Sequence, residues 1–303
     1  MDGLVFFFND TTTAEISPLS RRNALPIFSP GTTPVAEISA PASLTVHARD
    51  AYDRGCVNLD IDSYLAQRTP GHMNPATGPI GITNASTGDT LHVTIEDIRV
   101  GQRGYVATTP GTGLLGETPV PPAVLPFDVT NNVVTMAQKI RLPLRPMVGT
   151  IGVAPQSGSI ETLSLGQHGG NLDFNDITTG TTIHLPVRTP GALFAIGDVH
   201  ATMGDGEAHS GVNIDAEIDL RLDISSRQEL EWPWFETATE LMTLGVADEL
   251  THALQIAQRS MELLLIKRTG ISAEEARALA GAAVDFRLCQ AGGYGVPVSR
   301  ERL

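Results

Sequence analysis

Residues 191–207 read Gly191-Ala-Leu-Phe-Ala-Ile-Gly-Asp-Val-His-Ala-Thr-Met-Gly-Asp-Gly-Glu207. The apolar first half predicts a buried strand. Because side chains alternate along a strand, Asp198 and His200 are expected to project from one face, about 7 Å apart. The glycines that follow allow a sharp turn, which would bring Asp205 and Glu207 back toward the same point. Carboxylates and an imidazole that converge at a strand end are suitable ligands for a divalent cation.

A second glycine-punctuated stretch is Gly169-Gly-Asn-Leu-Asp173. Its glycines permit close approach of the backbone, so we expect Asn171 and Asp173 to point into the same site. An Asx-rich turn between strands is the competing interpretation of this stretch. For Asp205-Gly206, the competing interpretation is an ordinary hairpin turn.

Asp50 is a further candidate, because it ends the alternating stretch Ser43-Leu-Thr-Val-His-Ala-Arg-Asp50. This alternation predicts a half-buried strand whose last residue could reach the site. A surface ion pair between Arg49 and Asp50 is the simpler interpretation.

The composition limits the partners of the chain. Its 303 residues carry a net charge of −14, and 41% of them are hydrophobic. The negative charge argues against a nucleic-acid or anionic-membrane partner, because phosphate contacts need lysine and arginine. The chain has only two cysteines, Cys56 and Cys289, which is no disulfide framework, so a reduced cytoplasm is predicted. The two form no CxxC pair, so any metal site is expected to have oxygen and nitrogen ligands.

The first 30 residues differ from the rest of the chain. Met1-Asp-Gly-Leu-Val-Phe-Phe-Phe-Asn-Asp10 and Asn23-Ala-Leu-Pro-Ile27 resemble a translated sequencing-adapter tail, and no signal-peptide pattern is present. Residues 1–30 are therefore expected to be non-native and disordered or misplaced. If so, a native segment that precedes the Asp50 strand has been lost.

Downstream, the sequence predicts an α+β fold that is mostly β, with a sandwich or barrel-like body. A C-terminal helical hairpin is predicted, because residues 247–269 have helical periodicity, Gly270 suits a C-cap and Ser272-Ala-Glu-Glu275 is a capping box. The second helix is expected to run to about Leu288. We expect residues 31–230 to form a β-rich body with the metal and catalytic residues, and residues 231–303 to pack on it within the same globular domain.

Several segments together resemble the acetamidase/formamidase family over about residues 40–298. The resemblance depends on Asn74-Pro-Ala-Thr-Gly-Pro-Ile80, Gly88-Asp89, Val93-Thr-Ile-Glu-Asp-Ile98, Pro110-Gly-Thr-Gly-Leu-Leu115, Pro146-Met-Val-Gly-Thr-Ile-Gly-Val-Ala-Pro155, Gly169-Gly-Asn-Leu-Asp173, Pro190-Gly-Ala-Leu-Phe194, Gly197-Asp-Val-His-Ala201, Gly204-Asp-Gly-Glu207 and Asp285-Phe-Arg-Leu-Cys-Gln290.

The resemblance implies a metal-containing amidohydrolase that acts on short aliphatic amides in the cytoplasm as a homo-oligomer. The acidic, amide and histidine positions of the family would fall on Asp50, Asn171, Asp173, Asp198, His200, Asp205 and Glu207.

Amide hydrolysis assigns a hypothetical role to each of these positions. His200, Asp173 and Asp198, with Asp50 as a further candidate, would hold a divalent ion. Glu207 or Asp205 would act as the base, and Asn171 or the backbone amides of Gly169-Gly170 would bind the oxyanion. Zinc is the first choice of ion, while the many oxygen ligands leave calcium and magnesium open. Two alternatives are a non-catalytic module with a structural calcium ion and a hydrolase of a bulkier amide.

Overall fold

The structure is a computed structural model that describes residues 24–53, 55–67, 73–226, 230–290 and 297–302. Of the residues that the structure describes, 41% are in strands and 14% in helices, which confirms the prediction of a mostly-β α+β fold. The helices of the described residues are α1 (Ile61–Gln67), α2 (Leu250–Thr269) and α3 (Ala273–Ala283). The strands are β1 (Ala24–Leu25), β2 (Ile27–Phe28), β3 (Ala36–Ile38), β4 (Ala42–Ala48), β5 (Ala76–Ile82), β6 (Thr90–Val100), β7 (Arg103–Thr108), β8 (Ala123–Thr130), β9 (Val133–Met136), β10 (Ile140–Pro143), β11 (Met147–Gly152), β12 (Ile160–Glu161), β13 (Leu165–Gly166), β14 (Gly169–Asn171), β15 (Thr182–Pro186), β16 (Phe194–His200), β17 (Ala216–Ser225), β18 (Trp234–Glu236), β19 (Glu240–Leu244), β20 (Val284–Leu288) and β21 (Pro297–Arg302).

A seven-stranded sheet has the order β1-β5-β16-β11-β14-β13, with β3 beside β5. Every residue of β5, β11 and β16 is buried, because both faces of these central strands are covered. Their sequences are therefore continuous runs of apolar and small residues rather than alternating ones. β11 lies between β16 and β14 and pairs antiparallel with both, which places the ends of β14 and β16 near one another.

An eight-stranded antiparallel sheet has the order β20-β21-β19-β18-β15-β6-β17-β4. Alternate residues of β4, β6 and β17 are buried, as expected for strands with one face toward a core. Their inward side chains, such as Val46, Val93 and Ile218, belong to one hydrophobic cluster with Ile151 and Ile196 of the seven-stranded sheet. The two large sheets therefore share a core.

The C-terminal part continues the eight-stranded sheet and adds the predicted helical pair. α2 ends at Gly270, whose φ of 76° is left-handed, and Ser272 caps α3 through the predicted capping box. The expectation that α3 extends to about Leu288 is wrong, because residues 284–288 form β20 and pair with β21. Among the described residues, no helix is long and apolar enough to cross a membrane.

Part of the segment predicted to be a non-native tail has an ordered place in the fold. β1 pairs with β5 and β2 pairs with β12. Phe28 is only 2% exposed and packs against Ala76 and Ala195. Residues 24–28 therefore differ from the expected disorder, because they complete sheet edges and bury an aromatic ring. Residues 1–23 lie outside the described residues, so their predicted foreign origin stays a prediction, as do the predicted domain boundaries.

Candidate active site

Asp198 and His200 lie at the end of β16, where the sequence places them. Both side chains are about 1% exposed, and Asp198 Oδ1 lies 3.5 Å from His200 Nε2. Asp198 has a φ of 55°, so the backbone leaves regular strand geometry at this residue. A non-glycine residue in this region is uncommon and is often found at functional sites.

Asp173 approaches the same histidine from the loop after β14. Its Oδ1 atom lies 3.4 Å from His200 Nε2, and its side chain is fully buried. Gly149 of β11 lies between the two carboxylates. A Cβ atom at Gly149 would lie 2.6 Å from Asp173 Oδ1 and 2.7 Å from Asp198 Oδ2. The absence of a side chain at Gly149 therefore allows Asp173 and Asp198 to face each other.

Glu207 completes the cluster from the glycine-rich turn after β16. Ligand atoms of Asp173, His200 and Glu207 all lie within 4.8 Å of one another. Glu207 Oε1 also accepts a 3.4 Å hydrogen bond from the backbone amide of Gly211. A Cβ atom at Gly211 would lie 2.5 Å from His200 Nδ1, so this position has no room for a side chain against the imidazole.

Four buried atoms of the cluster have no hydrogen-bond partner among the described residues: Asp173 Oδ1, Asp198 Oδ1, His200 Nδ1 and His200 Nε2. Buried polar atoms are rarely left unpaired, because burial without a hydrogen bond costs free energy. Two carboxylate oxygens and one imidazole nitrogen are a donor set that a divalent transition metal accepts. The residues present therefore fit a metal ion.

The electrostatics of the cluster also favour a bound cation. Burial, reinforced by the negative charge of Asp173, raises the pKa of Glu207 to about 9. Burial also raises the pKa values of Asp173 and Asp198, and Asp198 adds to the shift of Asp173. Without a positive charge, these three carboxyl groups resist ionising together. A bound cation would offset both the desolvation and the mutual repulsion.

A network of amides and a hydroxyl orients the carboxylates. Asn74 Nδ2 donates to Asn171 Oδ1 over 2.6 Å and to Asp198 Oδ2 over 2.7 Å. Thr150 Oγ1 donates to Asn171 Oδ1, and Asn171 Nδ2 donates to Asp173 Oδ2. Asn171 therefore orients Asp173 directly and is joined to Asp198 through Asn74. Asn171 also lines the cavity described below.

Gln290 reaches the cluster from the segment after β20. Its Nε2 atom donates to Asp173 Oδ2 over 2.6 Å and to Glu207 Oε2 over 3.3 Å. The isolated bridge between Gly206 and Gln290 holds the two segments side by side. Gln290 therefore orients one carboxylate from each of the two glycine-rich stretches.

The structure does not bring Asp205 or Asp50 into the cluster. Asp205 is exposed and pairs with Arg287, with Nη2 lying 2.7 Å from Oδ1. Asp50 is buried, but its Oδ1 atom accepts a 2.9 Å hydrogen bond from the Tyr52 amide. Neither carboxylate belongs to the group of closely spaced ligand atoms found among the described residues. Their predicted roles as base and metal ligand thus gain no geometric support.

Gly169 and Gly170 have a packing role, and their predicted role in binding the oxyanion stays a prediction. Both have a positive φ near 100°, and a Cβ atom at Gly170 would lie 1.9 Å from the Ser164 carbonyl oxygen. They allow β14 to fit tightly between β11 and β13.

The cluster opens into a cavity of about 500 Å³. Asp198, His200 and Glu207 form part of its wall together with Asn171 and Gln290. The remaining wall includes aromatic, aliphatic and polar side chains, among them Tyr52, Tyr64, Met73, Thr109, His209 and Asn213. A small molecule in this cavity would reach the carboxylates directly.

Sequence reasoning missed four of the residues that shape this site: Asn74, Gly149, Thr150 and Gln290. Three of them lie in segments that carry the family resemblance, namely residues 74–80 and 146–155, and Gln290 ends the segment 285–290. The family resemblance was therefore the sequence feature that could have identified these four residues. No local spacing identifies them, because long-range strand pairing brings them to the cluster.

Comparisons with known proteins identify the family to which the chain is similar. A model of the Acetamidase/Formamidase family matches residues 21–163 and 158–241. The crystal structure of acetamidase from Bacillus halodurans is 33% identical with a TM-score of 0.85, covering 93% of this chain and 95% of that one. A recombinant predicted acetamidase/formamidase from Thermoanaerobacter tengcongensis is 32% identical with a TM-score of 0.86, covering 92% of this chain and 93% of that one.

A curated relative aligns over a shorter region. Acetamidase from Mycolicibacterium smegmatis is 28% identical over 126 residues, which is 37% of this chain and only 31% of that protein. The family model, in contrast, spans most of the chain, including β14, β16 and the glycine-rich turn. The chain therefore belongs to the Acetamidase/Formamidase family.

Proposed function

We propose that this protein is a metal-dependent amidase that hydrolyses short linear amides to a carboxylate and ammonia. The observation that carries the proposal is the convergence of Asp173, Asp198, His200 and Glu207 on one buried point beside a cavity. Membership of the Acetamidase/Formamidase family and the acetamidase names of its relatives support the choice of substrate.

Asp173, Asp198 and His200 are the residues that would hold the metal ion. When bound, a divalent cation supplies Lewis acidity, which acidifies water and polarises the amide carbonyl. Zinc suits the imidazole and the small number of carboxylates better than calcium or magnesium, which prefer all-oxygen sites. The hydrogen bonds from Asn74, Asn171 and Gln290 would keep the carboxylates in place.

Glu207 is the proposed general base. Hydrolysis forms a C–O bond, breaks the C–N bond and moves one proton from water to the departing nitrogen. A carboxylate at the cavity wall can accept this proton and deliver it to the nitrogen. Glu207 must be ionised to accept the proton, and a bound cation would offset the burial and the Asp173 charge that raise the pKa of Glu207. The oxyanion role of Asn171 has less support, because its amide group already bonds Asp173.

Ammonia release tests the proposal. The purified protein is expected to release ammonia from formamide and acetamide, and dialysis against a chelator should abolish this reversibly. Metal analysis by mass spectrometry of the same samples would identify the ion that restores activity. Full activity in a metal-free sample would contradict the metal-dependent mechanism.

A Glu207→Gln variant separates catalysis from a structural ion. We expect turnover to fall by about two to four orders of magnitude, because a general base contributes 10²–10⁴-fold, while bound metal and melting temperature are retained. Glu96→Gln is the matched control, since Glu96 is exposed on the outer sheet face and pairs with Arg221. Loss of metal and collapse of the fold in Glu207→Gln would favour the structural calcium alternative.

The volume of the cavity favours a second candidate substrate, a bulkier amide. At about 500 Å³, it exceeds what formamide or acetamide would fill, and Tyr64 and Met73 offer apolar contact. A panel of linear amides of increasing acyl length distinguishes the two candidates. If kcat/KM rises with acyl length, a longer substrate is favoured.

We also propose that the protein works in the cytoplasm as a homo-oligomer. Cys56 and Cys289 are both free and buried, which suits a reducing compartment. Light scattering of the purified protein measures the subunit number. A monomer at micromolar concentration would contradict the oligomer proposal.

A further inference from the structure

The hydroxyl of Tyr52 lies at the cavity wall, outside the carboxylate cluster, and has two hydrogen-bond partners. The backbone amide of Ala107 donates to Tyr52 Oη over 3.1 Å, and Tyr52 Oη lies 3.3 Å from Ser210 Oγ. Because the amide can only donate, the hydrogen of the Tyr52 hydroxyl is directed to Ser210. Burial raises the pKa of Tyr52, so its hydroxyl keeps that hydrogen.

Ser210 continues the hydrogen-bond chain to the backbone of Gly211. Its Oγ atom donates to the Gly211 carbonyl oxygen over 3.0 Å, which leaves Ser210 Oγ as the acceptor for Tyr52. Asn213 Nδ2 also donates to Ser210 Oγ over 2.9 Å and to the Gly211 carbonyl oxygen over 3.3 Å. Every hydrogen between the Ala107 amide and the Gly211 carbonyl therefore has an acceptor, and the chain holds the Gly211 backbone in place.

Gly211 contacts two members of the carboxylate and histidine cluster. Its backbone amide donates to Glu207 Oε1 over 3.4 Å. A Cβ atom at Gly211 would lie 2.5 Å from His200 Nδ1, so the Gly211 backbone packs directly against the imidazole. A shift of Gly211 would therefore displace the donor to Glu207 and the surface on which His200 packs.

Tyr52 is itself held firmly at the start of this chain. Its side chain is buried, and its ring lies edge-on against Tyr64 with 5.2 Å between the ring centroids. Its backbone amide donates to Asp50 Oδ1 over 2.9 Å, and the Asp50 amide donates to Asp215 Oδ1 over 2.8 Å. Asp50, a predicted metal ligand, thus holds the backbone of the residue whose hydroxyl begins the chain.

We propose that Tyr52 is a positioning residue for Glu207, the proposed general base. Its hydroxyl acts through Ser210 and holds the Gly211 amide against the Glu207 carboxylate. This inference rests on the proposed amidase function and adds a residue to its site. The hydroxyl acts through the backbone and not on the substrate, and misplacing a group that transfers a proton slows the reaction step. The effect is therefore expected in kcat and not in KM.

Tyr52→Phe tests the proposal, because it removes the hydroxyl and keeps the ring. We expect kcat for the preferred amide to fall about 3- to 30-fold, while KM changes less than about twofold and metal content is unchanged. Tyr105→Phe is the matched control, since Tyr105 is a buried tyrosine of the same hydrophobic cluster and the described cavity wall does not include it. A rise in KM with kcat unchanged would overturn the proposal, as would loss of metal.

Ser210 variants test the same chain at its second member. Ser210→Ala should lower kcat as much as Tyr52→Phe does, and the double variant should be little worse than either, because both changes interrupt one chain. Ser210→Thr keeps the hydroxyl and is expected to retain most of the activity. If Tyr52→Phe does not fold, these variants decide, and equal kcat in Ser210→Ala and the wild type would overturn the proposal.

A double-mutant cycle with Glu207 separates positioning from a general structural role. Once Glu207→Gln has removed the base, Tyr52→Phe has no base left to misplace, so it should lower the residual kcat less than about twofold. If Tyr52→Phe lowers kcat by the same factor with and without Glu207, Tyr52 acts independently of the base. That result would overturn the proposal.

Hydrogen exchange measured by mass spectrometry gives a readout that does not depend on activity. Amide exchange in residues 208–213 should be about 2- to 10-fold faster in Tyr52→Phe than in the wild type, and unchanged in Tyr105→Phe. Unchanged exchange in Tyr52→Phe would overturn the inference, whatever the activity. Faster exchange in a protein that hydrolyses no amide would contradict the amidase proposal and still support the role of Tyr52 in holding this turn.

Discussion

At the scale of single residues, the site depends on the absence of a side chain at Gly149. Opposed carboxylates repel each other and need close approach to share a ligand, and Gly149 supplies the space between Asp173 and Asp198. The sequence predicted both acids, because their glycine-punctuated spacing is local. It did not predict Gly149, since nothing near this residue in the sequence indicates what lies across the sheet.

We expect Gly149→Ala to lose both metal and activity. The added Cβ would come within 2.7 Å of carboxylate oxygens on both aspartates, so at least one must move. Metal content by mass spectrometry and ammonia release measure the result. Gly281→Ala is the matched control, because Gly281 in α3 has no atom within 4 Å of its added Cβ. This control should keep full activity and gain about 0.5–1 kcal/mol of stability.

His168 predicts an acid sensitivity of the fold. Burial lowers the pKa of His168 to about 4, and its ring lies edge-on against Phe28. The unfolded chain therefore takes up a proton near pH 6.5, whereas the folded chain resists it until about pH 4. Stability is full above pH 6.5 and falls as the pH drops toward 4, by on the order of 2–3 kcal/mol.

Urea unfolding between pH 4 and pH 7 measures this effect. His168→Phe removes the titrating group, and its free energy of unfolding should depend less on pH in this window. An identical pH dependence in the two proteins would show that other groups cause the acid sensitivity.

At the scale of elements, local sequence patterns predicted the end of α2 and the start of α3 correctly. The end of α3 differs from its prediction, because long-range strand pairing determines it. Gly270 and the Ser272–Glu275 capping box occur where predicted, because caps depend on residues within one turn. The predicted end of α3, at about Leu288, lies beyond its observed end at Ala283. Residues 284–288 alternate Val, Phe and Leu with charged residues, and pairing with β21 makes them a strand.

Ser272→Ala should destabilise the protein by about 1 kcal/mol, because it removes the side-chain cap of α3. Ser272→Asp is the control, since aspartate caps as well as serine does. Thermal or urea unfolding measures both variants. A loss of stability in Ser272→Asp equal to that of Ser272→Ala would contradict the capping argument.

At the scale of the whole molecule, the site joins distant parts of the chain. Asp198, His200, Asp173 and Glu207 were predicted because they fall in two short stretches, although their roles stay predictions. Asn74 and Gln290 could not be derived from spacing, since 216 positions separate them and only the complete fold brings both to the cluster. The mostly-β character of the fold was predictable from strand patterns, but the order of the strands in the sheets was not.

Arg287 links β20 to the turn that carries Glu207. It pairs with Asp205 in that turn and with Asp176 after β14. We expect Arg287→Met to lower the melting temperature and reduce kcat about 3- to 10-fold with metal content unchanged, because the turn loses its anchor and small misplacements of a catalytic group are costly. Arg99→Met, on the exposed face of the eight-stranded sheet, is the control. A full loss of metal in Arg287→Met would show that Arg287 supports the ligands instead.

The contact between Gln290 and both Asp173 and Glu207 has a consequence for biosynthesis. During translation, the carboxylates leave the ribosome long before Gln290 does, so the nascent chain carries acidic groups that lack one of their orienting donors. The carboxylates therefore reach their final orientation only after Gln290 has been synthesised and has paired with Asp173 and Glu207.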